Sequence, residues 1–249
     1  MNPIDVLPAA VAVVVLLGIA LLVLTLGGIR VRTDASVAVM RATVQLTLVA
    51  LVIAWVFAHP QAVAVYLAVM LAMAGLTSAR RVGLGRRTFG PLIVAIAAGA
   101  AAAVAPVLIS GALDVRAAVV LPFTAQIIGG SMTAASLAGG RLRDDAREEW
   151  ARVEGWLALG ADARTAVAVL GRRAVARALV PALDQTRSAG IVVLPGAFVG
   201  LLLGGASPAE AVKVQLLVLA GLLAAESVSA VVTVRLLAST VGQRRPEAT

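Results

Sequence analysis

Cysteine is absent from the 249 residues, and lysine and histidine occur once each. Without cysteine there is no disulfide framework, no thiolate metal site and no sulfur nucleophile. A single imidazole, His59 beside Pro60, builds neither a catalytic triad nor a histidine metal cluster. A phosphate-binding loop needs Gly-Lys-Ser/Thr, because its lysine must reach the outer phosphates. The sole lysine, Lys213, stands between Val212 and Val214, so this chain cannot supply such an ATP site. Charge is sparse as well: 14% of residues are charged and 61% are apolar. Soluble domains carry about 25% and about 45–50% respectively, so an ordinary soluble enzyme and a disordered chain are both excluded. The net charge is +8, but the basic residues sit between apolar stretches and aromatics amount to 3%. That pattern is one of membrane topology, not of nucleic-acid binding.

What is abundant is apolar sequence in long runs. Seven segments are long enough to cross about 30 Å of hydrocarbon, for which a helix needs about 20 residues. They are 7–26, 36–58, 61–79, 91–110, 117–138, 189–205 and 210–237. Asn2-Pro3-Ile4-Asp5 ahead of the first carries no basic residue, so that segment reads as a retained anchor with the N-terminus outside. Lys and Arg near span ends are retained on the cytoplasmic side. With Arg41 and Arg235 counted as snorkelling toward that side, 19 of the 21 basic residues share one face and only Arg116 and Lys213 lie on the other. The expectation is an all-α polytopic protein of the plasma membrane, with seven transmembrane helices, the N-terminus out and the C-terminus in the cytosol.

Pro60 and Pro91 open the third and fourth spans, where a missing N–H costs nothing. Pro106, Pro122 and Pro195 fall inside spans four, five and six; each frees a carbonyl that neighbours must satisfy, so these helices are expected to be packed or to line a cavity. In span six, Gly196, Gly200 and Gly204 recur every four residues, a flat stripe suited to close helix packing at the protein's centre or at a dimer seam.

Residues 139–188 are the only substantial polar region. Opposite charges at Arg141/Asp145, Asp144/Arg147 and Glu148/Arg152 are spaced for one solvated helix continuing from span five. After Gly160, Val167, Leu170, Ala174 and Leu179 mark an apolar face, with Arg164, Arg172, Arg173 and Arg177 off it. This predicts an amphipathic helix on the membrane's inner surface or against a partner, ended by Pro181.

Polar groups at bilayer depth need a reason, since a central charge costs about 2.5–3.5 kcal/mol on insertion scales. Glu226 is mid-span with no basic residue within a turn. It is protonated, paired with another span, or part of a cation path. Gln45, Gln126, Ser131, Met132, Thr133, Ser136, Gln215 and Ser229 are candidates to line that path with it, Glu226 being the candidate metal ligand; interhelical hydrogen bonding is the plainer role for any one of them. Oxygen ligands suit a hard cation, whereas Met132 favours softer metals.

The run Glu154-Gly155-Trp156-Leu157-Ala158-Leu159-Gly160-Ala161 resembles the cytoplasmic coupling loop of ABC-transporter permeases, in which Gly follows a leading Glu by six residues. A helix–glycine–helix turn without a partner is the alternative. Further stretches resemble one family, the FetB-type iron-export ABC permeases, which also include plant membrane proteins of aluminium tolerance. They are Arg41-Ala-Thr-Val-Gln45-Leu46; Gln126-Ile-Ile-Gly129-Gly130-Ser131-Met132-Thr133; Leu157-Ala-Leu-Gly160-Ala161; Ala178-Leu179-Val180-Pro181-Ala-Leu-Asp184-Gln185-Thr186; and Gly190 through Leu194-Pro195-Gly196 to Gly204-Gly205-Ala206-Ser207-Pro208. Gly130 stands where the family usually carries Asn. The resemblance implies one transmembrane permease domain over 1–249, with 139–188 as its helical coupling segment. It implies a separate cytosolic ABC ATPase that binds ATP-Mg and docks on Glu154, Gly160 and Ala161, no cofactor on this chain, a homodimer, and a metal ion, iron by default, moved outward. A non-transporting scaffold that binds a regulator and a permease for a non-metal substrate such as a sugar nucleotide are the competing readings.

Overall fold

The computed structural model describes residues 3–29, 32–59, 61–243 and 245. Asn2, Arg30, Pro60 and Arg244, which entered the span and charge reading, lie outside them. The chain packs as two units, residues 1–60 and 61–249. The first holds α1 (Pro3–Leu26) and α2 (Arg32–Ala58), which touch each other. Their apolar side chains are largely exposed, as a lipid-facing pair requires.

The second unit contains α3 (Ala62–Val82), a short 3-10 turn Arg86–Thr88, α4 (Phe89–Ile109), α5 (Ala117–Glu148), α6 (Trp150–Ala158), α7 (Ala163–Ala166), α8 (Ala168–Ala178), α9 (Val180–Ser188), α10 (Gly196–Leu203) and α11 (Pro208–Gln243). Six helices among the described residues are long and apolar enough to cross a membrane: α1, α2, α3, α4, α5 and α11. The protein is a polytopic all-α membrane protein.

Helices α3, α4, α5 and α11 form the packed body. Their contacts are built from small residues such as Ala95, Ala134, Ala135 and Ala225, with Leu92, Ile96, Ile127 and Leu237 filling between them. Small residues let helix axes approach closely where lipid gives no hydrophobic drive to associate. At 36 residues α11 is about 54 Å long and at 32 residues α5 is about 48 Å. Both are longer than a bilayer crossing needs, and α5 continues past Ala138 to Glu148, as the charge spacing predicts, but it breaks at Glu149, so Arg152 falls in the separate α6 and not one turn beyond Glu148 on the same helix.

The expected ion pairs along that extension are replaced by others. Arg143 pairs with Asp144, and Arg152 with Glu149. Two pairs cross between helices: Arg173 of α8 with Glu149 at 2.9 Å, and Arg177 of α8 with Asp145. These hold α8 along α5. The apolar face predicted for this stretch is present, with Val167, Leu170 and Ala174 buried. It lies against α5 and α11 of the same chain, neither on the bilayer surface nor on a partner. Pro181 sits in the first turn of α9, so it opens the next helix as well as closing α8.

The sixth predicted span is the main correction. Residues 189–205 do not form a transmembrane helix: Ala189 bridges Val193, the chain is non-helical to Pro195, and α10 has 8 residues. That is about 12 Å, under half a bilayer. Pro195 is the cap of α10, not a kink inside a span. The chain nevertheless changes ends here. Ala163 abuts Gly242 near the end of α11, Gly171 abuts Val234, and Ala178 packs with Ala230. Beyond them, Gly200 and Leu201 share a cavity with Lys213, Val214 and Val218. Helices α8, α9 and α10 thus climb α11 from one end to the other as a broken crossing.

Candidate substrate path

Glu226 sits where α4, α5 and α11 cross, and two glycines make the crossing possible. A Cβ on Gly99 of α4 would lie 2.5 Å from the Ala225 carbonyl oxygen, 2.9 Å from Ser131 Oγ and 3.0 Å from Ser229 Cβ. A Cβ on Gly130 of α5 would lie 2.8 Å from Glu226 Oε1 and 2.5 Å from Leu222 Cδ2. The missing side chain at Gly130 is therefore the notch that receives the Glu226 carboxyl group. Glu226 is 8% exposed, and among the described residues it has no hydrogen-bond or ion-pair partner. Of the three roles open to it, pairing with another span of this chain is not realised among those residues. Nor do they contain a group of three His, Cys, Asp or Glu able to hold a metal.

Around it runs a buried polar seam. The Ser229 hydroxyl donates to the Ser131 carbonyl at 2.9 Å. One layer away, the hydroxyls of Ser78 and Ser136 lie 3.0 Å apart and reach the Met132 carbonyl at 3.3 and 2.8 Å, joining α3 to α5. Thr124 Oγ1, Ser131 Oγ, Gln215 Oε1 and Thr233 Oγ1 are buried without a hydrogen-bond partner among the described residues. Orphaned polar atoms are rare in native interiors and mark places where water or a ligand belongs.

At the end away from the arginines a cavity of about 600 Å³ opens between the loop around Asp114, the first turns of α5, α10 and the start of α11. Asp114, Arg116, Gln126, Glu210 and Lys213 give it a mixed charged rim, and Val218 is part of its lining. Gln126 precedes Gly130 by one helical turn, about 6 Å. Leu222, on the turn of α11 between Val218 and Glu226, is 6% exposed and packs onto Gly130. The cavity thus stops one side chain short of Glu226.

Of the predicted path residues, Ser131 and Ser229 join at the Gly99–Ala225 crossing next to Glu226 in sequence, while Gln126 is exposed in the lining of the cavity. Met132 is half-buried in the core and contributes its carbonyl, not its sulfur. Thr133 points away, exposed, its hydroxyl donating to Gly129 O at 3.1 Å. Gln45 belongs to the first unit and is exposed there. Thr124 and Thr233 were not singled out from sequence. Thr124 lies seven residues before Ser131 and Thr233 seven after Glu226, a spacing that returns to the same helix face and would have found both.

The candidate dock is a helix end of defined geometry. Gly160 has φ +89°, its N–H reaches Leu157 O at 2.9 Å, and Ala161 N–H reaches Trp156 O at 3.0 Å. This paired closure needs a left-handed residue, which is why glycine stands there. Asp162 then caps α7, accepting the Thr165 N–H at 2.9 Å, and that bond holds its carboxyl below the ordinary Asp range. Glu154 is exposed, with Trp156 45% and Leu159 82% exposed beside it. The glycines of α10 do not act as predicted within the chain: a Cβ on Gly196 or Gly200 would meet nothing, and on Gly204 only its own helix.

Residues 7–241 match the family described as "Uncharacterised protein family (UPF0014)". The chain belongs to the UPF0014 family. It is 32% identical to "UPF0014 membrane protein STAR2" of Oryza sativa subsp. japonica, over 79% of this chain and 70% of that one. It is 31% identical to "Protein ALUMINUM SENSITIVE 3" of Arabidopsis thaliana, over 90% and 82%. It is 30% identical to "Probable iron export permease protein FetB" of Escherichia coli (strain K12), over 77% and 75%. No solved structure matches. The matched residues, 7–241, reach into all six long helices and include the broken crossing.

Proposed function

We propose that this UPF0014 protein is the membrane-spanning permease subunit of an ABC transporter that exports a metal ion, with iron as the first substrate to test. The observation that carries the proposal is the unpaired Glu226 carboxyl group in the Gly130 notch, one side chain below a cavity with a charged rim. A carboxylate and hydroxyls suit a hard cation, and a lone acidic group at bilayer depth is by default functional. The printed name of the Escherichia coli relative supports iron as cargo and export as direction.

The arginine-rich end faces the cytosol, as the positive-inside rule requires, so the cavity opens outward and the C-terminus lies inside. Seven passages, the broken one included, put the N-terminus outside. ATP-Mg is hydrolysed on a separate cytosolic ABC ATPase, which docks on Glu154, Gly160 and Ala161 and grips the exposed Trp156 and Leu159. A second copy completes the transporter. It packs against the glycines of α10 and the exposed Ile191 to Leu194 stretch, whose non-helical backbone cannot face lipid.

The test is reconstitution of this chain with its ATPase in vesicles. Iron should stimulate ATP hydrolysis and leave the cytosolic-side compartment. Glu226→Gln and Glu226→Ala should abolish both while the chain remains folded; export at the wild-type rate by either variant would end the cation-path reading.

A further inference from the structure

The arginine-rich end holds a second cavity, of about 720 Å³, that the transport reading does not use. It lies on one side of α3 and the turn that follows, lined by Ala72, Met73, Leu76 and Phe89 on its apolar part and by Arg80 and Arg86 at its mouth. The turn is fixed in place. Gly83 closes α3 with φ +70° and its N–H on Ala79 O at 3.2 Å, and Gly85 follows at φ +87°. Arg143 of α5 donates to Val82 O at 2.7 Å, and the Thr88 hydroxyl donates to Gly85 O at 2.8 Å. Val82 is fully buried. Arg80 and Arg86 are therefore carried on a rigid support, yet among the described residues neither they nor Arg81 and Arg87 form an ion pair.

An apolar groove that ends in two unpaired guanidinium groups, where a transmembrane helix leaves the hydrocarbon, matches one kind of molecule. We propose that this cavity binds an anionic phospholipid, its acyl chain along Ala72, Met73, Leu76 and Phe89 and its phosphate between Arg80 and Arg86. Guanidinium is suited to phosphate, because it donates two parallel N–H bonds and is weakly hydrated. No carboxylate lines the cavity, so nothing within it repels the headgroup. The site is separate from the Gly130 notch and stands whether or not the chain transports metal.

The test uses the full chain purified in detergent, with phosphatidylglycerol as probe and phosphatidylcholine and glycerol 3-phosphate as comparators, read by native mass spectrometry and by a fluorescent-lipid titration. Phosphatidylglycerol should bind in preference to phosphatidylcholine. Arg80→Gln with Arg86→Gln should weaken it about 30-fold, from about 1 kcal/mol for each basic group. Arg81→Gln with Arg87→Gln removes the same charge from outside the cavity and should leave affinity within about threefold, since solvent screens those groups. Ala72→Trp, which fills the exposed groove without touching charge, should abolish binding. Equal losses in the two arginine pairs, or full binding by Ala72→Trp, would overturn the proposal. Competition by glycerol 3-phosphate as effective as that of the lipid would make this a site for soluble anions and overturn it too. All positions substituted are solvent-exposed, so each variant can be checked for an unchanged unfolding temperature.

Discussion

Gly99 of α4 and Ala225 of α11 approach so closely that a β-carbon on the glycine would stand 2.5 Å from the alanine's carbonyl oxygen. Backbone, not a flexible side chain, blocks that space. The contact sets the distance between α4 and α11 one residue before Glu226, and so fixes where its carboxyl group can lie. The same packing brings Ser131 and Ser229 together and leaves the Ser131 hydroxyl in the gap between the helices.

Glycine should be required at that contact and dispensable on α10. Gly99→Ala must spread α4 from α11, and overpacking of this kind costs about 1–3 kcal/mol. A Cβ at Gly200 would find no other helix within 4 Å among the described residues, so Gly200→Ala should leave the unfolding temperature of the isolated protomer unchanged. Thermal unfolding in detergent checks both. A drop in the dimer fraction for Gly200→Ala, at constant protomer stability, would place the seam between copies on α10.

Gly130 and Glu226 should behave as one unit. Gly130→Ala drives a methyl group into Glu226 and Leu222 and should destabilise by about 1–3 kcal/mol. Truncating the acid by Glu226→Ala vacates the notch. The double variant should then recover part of the loss, with a coupling of about 0.5–3 kcal/mol, the range for residues in contact. Additive losses in unfolding experiments would show that the carboxyl group does not occupy the notch in solution.

Hydropathy was enough to predict an all-α membrane protein and its long helices. It failed at 189–205, because a hydropathy window adds up apolar residues and does not register that Pro195 caps a helix instead of bending one. The apolar stripe of Val167, Leu170 and Ala174 was legible from its period, but its partner was not. Spacing along one helix favoured Arg141 with Asp145, whereas the fold brings Arg177 to Asp145 from α8. The site was half legible for a related reason. A lone acid in an apolar run is conspicuous, but Ser131 and Thr133 look equivalent in sequence until a neighbouring helix decides which of them is inside.

Leu222 should act as the plug between the outer cavity and Glu226. Since the chain has no cysteine, Glu226→Cys gives one thiol on a silent background. A water-soluble thiol reagent should modify it slowly in the otherwise unaltered chain. Adding Leu222→Ala should raise that rate at least about tenfold, at a stability cost of about 2–5 kcal/mol for a buried leucine. A rate that Leu222→Ala leaves unchanged would mean that the route from the cavity to Glu226 bypasses this side chain.

Coupling to an ATPase should depend on the shape of the α6 end as well as on its charge. Gly160 holds φ +89°, which proline cannot adopt with its ring fixed near −65°, and which alanine adopts only under strain. The turn carries Trp156 and Leu159 outward, and hydrophobic anchors of this size dominate binding at interfaces. Gly160→Pro with Glu154→Arg should therefore abolish co-purification of a co-expressed ATPase. Trp156→Ala, which leaves the backbone turn intact, should weaken it by at least about 2 kcal/mol, or roughly thirtyfold in affinity. Unfolding temperatures close to that of the unaltered chain would separate lost docking from lost folding. Retention of the ATPase by the first variant would move the dock to another part of the arginine-rich end, where the exposed Arg86–Arg87 turn is the next surface to test.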